Sequence, residues 1–385
     1  MKRQLSRKRK QCYFCILFIV LVFGLTACAK KSAEYEYVSE EHMHEGTWLV
    51  WPHNHTAAFE YYKVPENAPS YRDSLESIWV AMTKALHTGE KVHIVAYNDE
   101  EKLHIEELLV AENVDMSQVD FFIYETNDIW ARDIGPIFVH DQKNQKNVIA
   151  NFEFDGWGNK QSHDKDNGLA QAVADAYGFD IIQIPELVLE GGSIECDGAG
   201  TLMATKSSIA SKNRNPDKTL AEVETTLRKY LGVTNFIWIE GAVGEDQTDA
   251  HIDGIARFIN DHQIFVCNKE EYKNLYRNVS NESDWDIIST AKNAKGQAYE
   301  LVYLPLTKNV ITTYGVQQKY YGSYTNYYIG NEVVLVPQYS DPNDAVALEI
   351  IGKYYPDRTI IGINCANLLY YGGMIHCVTQ QQPSP

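Results

Sequence analysis

The chain has 385 residues, of which 44% are apolar and 22% are charged, and its formal net charge at neutral pH is −18. This composition excludes an extended disordered chain or a coiled coil, and it suffices for one large domain or two small ones with a substantial core. The negative charge disfavours nucleic acid and anionic lipid as partners, and it either favours small cationic ligands or only keeps the protein soluble.

The N-terminal segment has the layout of an export signal. Residues 1–27 contain six Lys or Arg near the start and no acid, followed by an apolar run that is short for a membrane span. The run ends in Leu25-Thr26-Ala27-Cys28, which is similar to the lipobox of bacterial lipoproteins. We predict a signal peptide over residues 1–27, a lipidated Cys28 and a polar tether over residues 28–40. An uncleaved anchor and an ordinary signal peptide are the alternatives.

The remainder, residues 41–385, is predicted to be one extracytoplasmic domain held at the membrane by the lipid. Its cysteines are too widely spaced for a zinc-binding pattern. A disulfide is compatible with an exported domain, but the sequence identifies no pair among Cys196, Cys267 and Cys365. Nothing in the sequence indicates an oligomeric state.

Beyond the tether, apolar residues alternate between helical and strand spacing. Helices are predicted at residues 73–87, 103–110, 168–177, 218–230, 269–278 and 343–354, and strands at residues 92–96, 119–124, 148–154, 201–205, 255–259, 263–266, 332–336 and 359–363. Hairpin turns are predicted at Asp197-Gly198 and Asn260-Asp261. Several strands for each helix favour an α/β or α+β domain over a simple β-α-β alternation.

Five polar segments interrupt this pattern. They are residues 126–136 with Trp130, Arg132 and Asp133; residues 189–195, where Glu190 precedes two glycines; residues 247–254 with His251 and Asp253; residues 323–327 with Asn326; and residues 371–381, where two glycines precede His376 and Cys377. Taken singly, each is compatible with an ordinary turn, a surface ion pair or, for Cys377, a buried thiol.

The last segment is typical of a thiol that a substrate must reach. Paired glycines permit close approach, and a thiolate is the strongest nucleophile among the ordinary side chains. If residues 247–254 form a strand, His251 and Asp253 share one face and can work as an acid/base pair. The same strand geometry would direct His376 away from Cys377 and make it a poor candidate for its base.

Together the five segments resemble the agmatine deiminase family of the guanidine-modifying pentein superfamily. Residues 44–52, 152–158 and 213–216 add to the resemblance, which runs from about residue 40 to residue 383. It implies a five-bladed, pseudo-symmetric α/β propeller of ββαβ modules. It also implies a C–N hydrolase that acts on a small cationic guanidine and requires neither a metal nor an organic cofactor.

The resemblance further implies the catalytic roles. Cys377 would attack the guanidinium carbon, and His251 would protonate the departing ammonia. The covalent S-alkylthiouronium left on the cysteine would then be hydrolysed by water that His251 activates. Glu190 would orient His251, as the third group of a triad does. From agmatine the products would be ammonia and N-carbamoylputrescine, a step of putrescine biosynthesis.

A guanidinium also has to be held in place. Carboxylates suit its planar N–H edges because they can pair with them bidentately. The resemblance gives this role to Asp133 and Asp253 and makes Trp130 a wall of the site. The amide of Asn326 either orients the site or caps a turn.

The sequence does not decide whether the guanidine substrate is agmatine or peptidyl or free arginine. Related secreted peptidylarginine deiminases carry arginines shortly after the strand at residues 148–154, whereas this chain has Gly156-Trp157-Gly158, which favours agmatine. Against agmatine, Gln247 stands where an acid is frequent, with Glu245 or Asp246 as alternatives, and most agmatine deiminases are cytosolic. An amidinotransferase and a non-catalytic guanidine-binding lipoprotein are the other hypotheses, although the intact catalytic set argues against the latter.

Overall fold

The computed structural model describes residues 33–55, 66, 68–275 and 282–385. The predicted signal peptide, Cys28 and the first residues of the predicted tether lie outside these ranges. Among the described residues, no helix is long and apolar enough to cross a membrane.

Short strands and helices alternate along the chain. The strands are β1 Tyr35–Tyr37, β2 His44–Val50, β3 Lys91–Ala96, β4 Val119–Ile123, β5 Ile137–Asp141, β6 Lys146–Glu153, β7 Ile181–Val188, β8 Ile194–Cys196, β9 Thr201–Thr205, β10 Asn235–Ile239, β11 Ala256–Asn260, β12 Gln263–Val266, β13 Glu300–Tyr303, β14 Leu306–Thr313, β15 Val316–Ser323, β16 Tyr328–Ile329, β17 Val333–Gln338, β18 Thr359–Asn364 and β19 Gln380–Pro383. The helices are α1 Tyr71–Leu86, α2 Asp99–Ala111, α3 Ala131–Ile134, α4 Gly156–Asn159, α5 Leu169–Tyr177, α6 Leu220–Leu231, α7 Lys269–Tyr272, α8 Glu282–Ser289, α9 Asp344–Gly352 and α10 Ala366–Tyr370. Single 3-10 turns lie at Met116–Gln118, Asp166–Gly168, Gly191–Ser193, Ile252–Gly254 and His376–Val378.

The strands of the described residues form several small sheets, none of which closes on itself. Their strand orders are β1-β5-β6-β7, β10-β9-β8, β11-β12-β13, β14-β15, β16-β17-β18 and β19-β2-β3-β4. Parallel pairs such as β2 with β3 and β3 with β4 are connected through α1 and α2, whereas β19 returns antiparallel to β2. The architecture is therefore a mixed α/β fold, and the C-terminal strand is joined to the N-terminal part of the domain.

Most predicted elements are confirmed because their apolar spacing reflects real burial. Helix α1 begins after Ser70, whose side chain caps Asp73, and buries Leu75, Ile78 and Met82. The turn at Asp197-Gly198 joins the antiparallel β8 and β9, and the turn at Asn260-Asp261 joins β11 and β12. The helix predicted at residues 269–278 extends only over Lys269–Tyr272, and residues 276–281 lie outside the described ranges.

The described end of the predicted tether belongs to the domain. Tyr35–Tyr37 form β1, which pairs antiparallel with β5 at one edge of a four-stranded sheet. Three residues later, Glu40 is buried and pairs with Arg132 and Arg257. The prediction of a polar tether is therefore wrong for residues 35–40. The Tyr-Glu-Tyr sequence lacks the apolar run by which the longer strands are recognised.

Candidate active site

Three of the predicted site residues meet at the backbone of Gly192, in the 3-10 turn between β7 and β8. A Cβ atom at Gly192 would lie 2.5 Å from Nδ1 of His251, 2.9 Å from Oδ1 of Asp133 and 3.2 Å from Oδ2 of Asp253. The first two of these contacts are closer than a carbon atom tolerates, and the third is tight. Glycine is favoured here because three side chains from two separate segments surround this position.

His251 is buried against carboxylates on both sides of its ring. Its Nε2 lies 2.8 Å from Oε2 of Glu190, and its Nδ1 lies 3.7 Å from Oδ1 of Asp133. Burial disfavours the charged imidazole, but Asp133 and Glu190 outweigh this effect and raise the pKa of His251 to about 9. At neutral pH the imidazole therefore holds a proton that it can donate.

Glu190 is itself held by a buried ion-pair network. Nε of Arg214 lies 2.5 Å from Oε1 of Glu190, and Nη1 lies 2.9 Å from Oδ2 of Asp249. The other oxygen of Asp249 accepts from Nζ of Lys160 at 2.9 Å. The sequence assigned no role to Arg214 or Asp249. Asp249 lies in the polar segment at residues 247–254 and Arg214 in the family-like segment at residues 213–216, but neither position indicates an ion pair.

The two predicted guanidinium-holding carboxylates are both buried but differ in their partners. Asp133, in α3, accepts from the backbone N–H of Gly192 and from Nε1–H of Trp157, each at 2.9 Å. Burial, opposed in part by His251, raises the pKa of Asp133. Burial also acts on Asp253, but His376 outweighs it and lowers the pKa of Asp253. The two carboxylates thus present unequal affinities for a proton.

Cys377 lies beside one of these carboxylates and is half-buried. Its Sγ is 3.4 Å from Oδ1 of Asn326 and 3.7 Å from Oδ2 of Asp253. Burial, followed by the charges of Asp253 and Asp133, raises the pKa of the thiol well above its ordinary value. Oδ1 of Asn326 also accepts from the backbone N–H of His376 at 3.0 Å, so Asn326 fixes the turn that carries the cysteine.

The strand assumed for two of the predicted segments is wrong. His251 directly precedes the 3-10 turn Ile252–Gly254, Asp253 lies inside that turn, and Cys377 lies in the 3-10 turn His376–Val378. The ring of His376 lies between Asp253 and Glu40, with Nδ1 and Nε2 each within 2.9 Å of a carboxylate oxygen. Alternation along a strand therefore does not decide which way these side chains point.

Trp130 packs against the glycine pair before the cysteine. A Cβ atom at Gly373 would lie 2.2 Å from Cζ3 of the Trp130 ring, which is itself buried. The second glycine of the pair is thus needed for the approach of the indole to the backbone that leads to Cys377.

A cavity of about 520 Å³ opens beside these segments. Its lining includes Gln247, Glu245, Lys160, Lys319, Tyr320 and Met374. Nζ of Lys160 is engaged by the backbone oxygens of Asp246 and Gln247 as well as by Asp249. Within the described ranges, no group of His, Cys, Asp and Glu side chains is arranged to hold a metal ion.

The sequence and the fold are similar to those of known proteins. The chain is 29% identical over 374 residues to a putative agmatine deiminase of Latilactobacillus sakei, covering 92% of this chain and 97% of the relative. The structure of an agmatine deiminase of Enterococcus faecalis superimposes with a TM-score of 0.79 at 25% identity and covers 92% of this chain and 98% of its own. For a putative arginine deiminase from Porphyromonas gingivalis the TM-score is 0.78 at 29% identity, with coverages of 91% and 98%.

A family model gives the assignment directly. The model of Porphyromonas-type peptidyl-arginine deiminases matches residues 36–383, which is nearly all of the described chain. This match confirms the resemblance found in the sequence and, with it, the expectation of a C–N hydrolase that acts on a guanidine group. The chain belongs to the Porphyromonas-type peptidyl-arginine deiminase family.

Proposed function

We propose that the protein hydrolyses agmatine to N-carbamoylputrescine and ammonia through a covalent thiouronium on Cys377. The observation that carries this proposal is the convergence of His251, Asp133 and Asp253 on Gly192, with Sγ of Cys377 3.7 Å from Asp253. A guanidinium is cationic at neutral pH and its carbon is a poor electrophile, so its hydrolysis needs a nucleophile, an acid and a pair of anionic partners. The site contains each of these.

Binding of the cation prepares the nucleophile. Before the substrate binds, the thiol keeps its proton because burial and the charges of Asp253 and Asp133 raise its pKa. A guanidinium paired with Asp133 and Asp253 offsets their negative charge, which lowers the pKa of the thiol and allows its proton to leave for solvent. The thiolate then forms an S–C bond to the guanidinium carbon, giving a tetrahedral adduct.

His251 supplies the proton for departure of the amine. The protonated imidazole, held by Glu190, transfers its proton to one nitrogen of the adduct, the C–N bond breaks, and ammonia leaves. What remains is an S-alkylthiouronium on Cys377. The now neutral His251 takes a proton from water, whose oxygen attacks the same carbon. Breakage of the S–C bond, with the hydroxyl proton of the adduct passing to solvent, releases the ureido product and restores the thiolate.

The surroundings of the site support agmatine over an arginine substrate. The turn Gly156–Asn159 uses Trp157 to donate to Asp133 and contributes no basic group for a carboxylate. Lys160 is already bound to Asp249 and two carbonyl oxygens. Peptidyl-arginine is the second candidate, because the cavity of about 520 Å³ lined in part by Lys319 has room for a peptide and a cation for its carboxylate.

Two further predictions complete the proposal. We propose that the small sheets are arranged as the five-bladed ββαβ propeller of pentein proteins, which is consistent with three-stranded units such as β16-β17-β18. We also propose that the protein is an exported lipoprotein anchored through Cys28, on the evidence of the basic and apolar N-terminal segment. Incorporation of labelled palmitate that a Cys28→Ser variant loses would support the anchor, and equal labelling of both chains would contradict it.

The function is tested by turnover of defined guanidines. The purified full-length chain is incubated with agmatine, free arginine and glycyl-arginine, and ammonia and ureido product are measured. We expect agmatine to give the highest kcat/KM and Cys377→Ala to abolish turnover, with Cys196→Ala as a control at a half-buried cysteine outside the site. Undiminished activity in Cys377→Ala would exclude the covalent mechanism, and a preference for glycyl-arginine would favour the second candidate.

A further inference from the structure

The carboxylate of Glu40 lies at the centre of a buried polar cluster, three residues after β1. Its Oε1 accepts from Nη2 of Arg257 at 3.2 Å and from the N–H of Ile329 at 2.9 Å. Its Oε2 accepts from Nη2 of Arg132 at 3.0 Å and lies 2.9 Å from Nε2 of His376. Glu40 therefore has four polar atoms of other segments around its carboxylate, and its backbone oxygen lies 2.9 Å from Nε2 of His44.

His376 connects this cluster to the proposed site. Its Nδ1 lies 2.8 Å from Oδ2 of Asp253, and its Nε2 lies 2.9 Å from Oε2 of Glu40. An imidazole can donate to two carboxylates at once only when both of its nitrogens carry a proton. Oδ2 of Asp253 is also the oxygen 3.7 Å from Sγ of Cys377. Two hydrogen bonds thus link Glu40 to the oxygen beside the nucleophile.

We infer that Glu40 is a positioning residue for substrate binding, which acts through His376 on Asp253. The inference rests on the proposed function, in which Asp253 holds the guanidinium. Glu40 binds the far nitrogen of the His376 ring, and the ring held in this way fixes the orientation of Asp253. Without Glu40 the ring loses the carboxylate that holds its far nitrogen, and Asp253 loses the fixed position of its neighbour.

A neighbouring carboxylate provides a matched control. Oε2 of Glu195 lies 2.9 Å from Nε of Arg257, and Glu195 is as deeply buried as Glu40. Oε1 of Glu195 accepts from the N–H of Phe258. Glu195 and Glu40 both neutralise Arg257, but the hydrogen bond to His376 belongs to Glu40. Loss of stability from an unpaired arginine is therefore common to both sites, whereas an effect on Asp253 is specific to Glu40.

The first experiment separates binding from turnover in the full-length chain with agmatine as substrate. We expect Glu40→Gln to raise KM about tenfold while kcat stays within about threefold, because Asp253 is an ionic partner in both the ground state and the transition state. Glu195→Gln should keep the wild-type KM even if its thermal midpoint falls as far as that of Glu40→Gln. An unchanged KM in Glu40→Gln, or an equal rise in Glu195→Gln, would overturn the inference.

The second experiment tests the route through His376. An asparagine at position 376 retains a donor near Asp253 but is too short to reach Glu40, so we expect His376→Asn alone to raise KM about tenfold. In that background Glu40→Gln should add nothing. If the double variant raises KM by the product of the two single effects, the route through His376 is refuted. If Glu40→Gln does not fold, the single His376→Asn variant decides, and an unchanged KM would refute the inference. A wild-type chain that does not turn over agmatine would instead contradict the proposed function.

Discussion

Removal of the charge on Glu190 should move the alkaline limit of activity. The pKa of His251 is about 9, so the imidazole is protonated and able to act as an acid below that pH and loses this ability as the pH rises through it. Glu190→Gln removes one of the two nearest negative charges but keeps an amide oxygen for Arg214, which also remains paired with Asp249. The substitution therefore changes charge with little change of shape.

The size of the shift follows from the contact that is lost. A hydrogen bond between charged groups contributes about 1.5–3 kcal/mol, and one pKa unit corresponds to about 1.4 kcal/mol, so the pKa of His251 should fall by about one to two units. At pH 8 the protonated fraction then drops from about nine-tenths to between about a half and a tenth. We expect kcat/KM for agmatine at pH 8 to fall in proportion or further.

The assay is the pH dependence of kcat/KM between pH 6 and 10, with product measured as ureido compound. Glu45→Gln is the matched control, because Oε2 of Glu45 lies 3.1 Å from Nε2 of His93 in a histidine–carboxylate pair on β2 and β3, away from the site. Its profile should coincide with that of the wild type. A folded Glu190→Gln variant whose activity still declines only near pH 9 would refute the assignment of His251 as the acid.

Three other outcomes are expected. Gly192→Ala should lower kcat/KM at least about hundredfold, because the added carbon crowds three groups of the site. Gly352→Ala, where the nearest atom is 3.4 Å away, should leave kcat/KM unchanged. Equal activities of the two variants would contradict the crowding at Gly192. Trp157→Phe removes the N–H donor to Asp133 and should raise KM about tenfold in steady-state assays, and an unchanged KM would count against Asp133 as a substrate ligand. Iodoacetamide should inactivate the enzyme by labelling Cys377, with protection by agmatine seen in peptide mass spectra; labelling confined to the other cysteines would argue against this nucleophile.

Much of the fold could be predicted because long elements bury apolar stripes. The predicted bounds of β9 and β12 agree with the structure, and α1 was predicted to within two residues at its start. The polar segments were also recognisable, since Trp130, Asp133 and Asp253 stand among residues that favour turns. The convergence of these segments on Gly192 could not be predicted from the sequence. Their residues lie about 60 to 240 positions apart, and such a separation does not fix the distances between them in the fold.

The remaining features depend on contacts that have no local pattern. Glu40 follows a strand of three residues with one exposed side chain, and its burial results from arginines on distant segments. His376 was interpreted as a strand residue, but the backbone forms a 3-10 turn held by Asn326. Arg214 becomes meaningful only once Glu190 and Asp249 are seen on either side of its guanidinium. Such ion pairs are set by the packing of the whole domain.

In the proposed mechanism, Cys377 becomes covalently bonded to the carbon of the substrate. The most direct measurement is rapid acid quenching of the full-length chain during turnover of agmatine, followed by mass spectrometry of the intact protein and of its peptides. We expect an adduct of agmatine minus ammonia on the peptide that contains Cys377, and no such adduct in Cys377→Ala. Steady turnover without such an adduct, or an adduct on another residue, would contradict this mechanism.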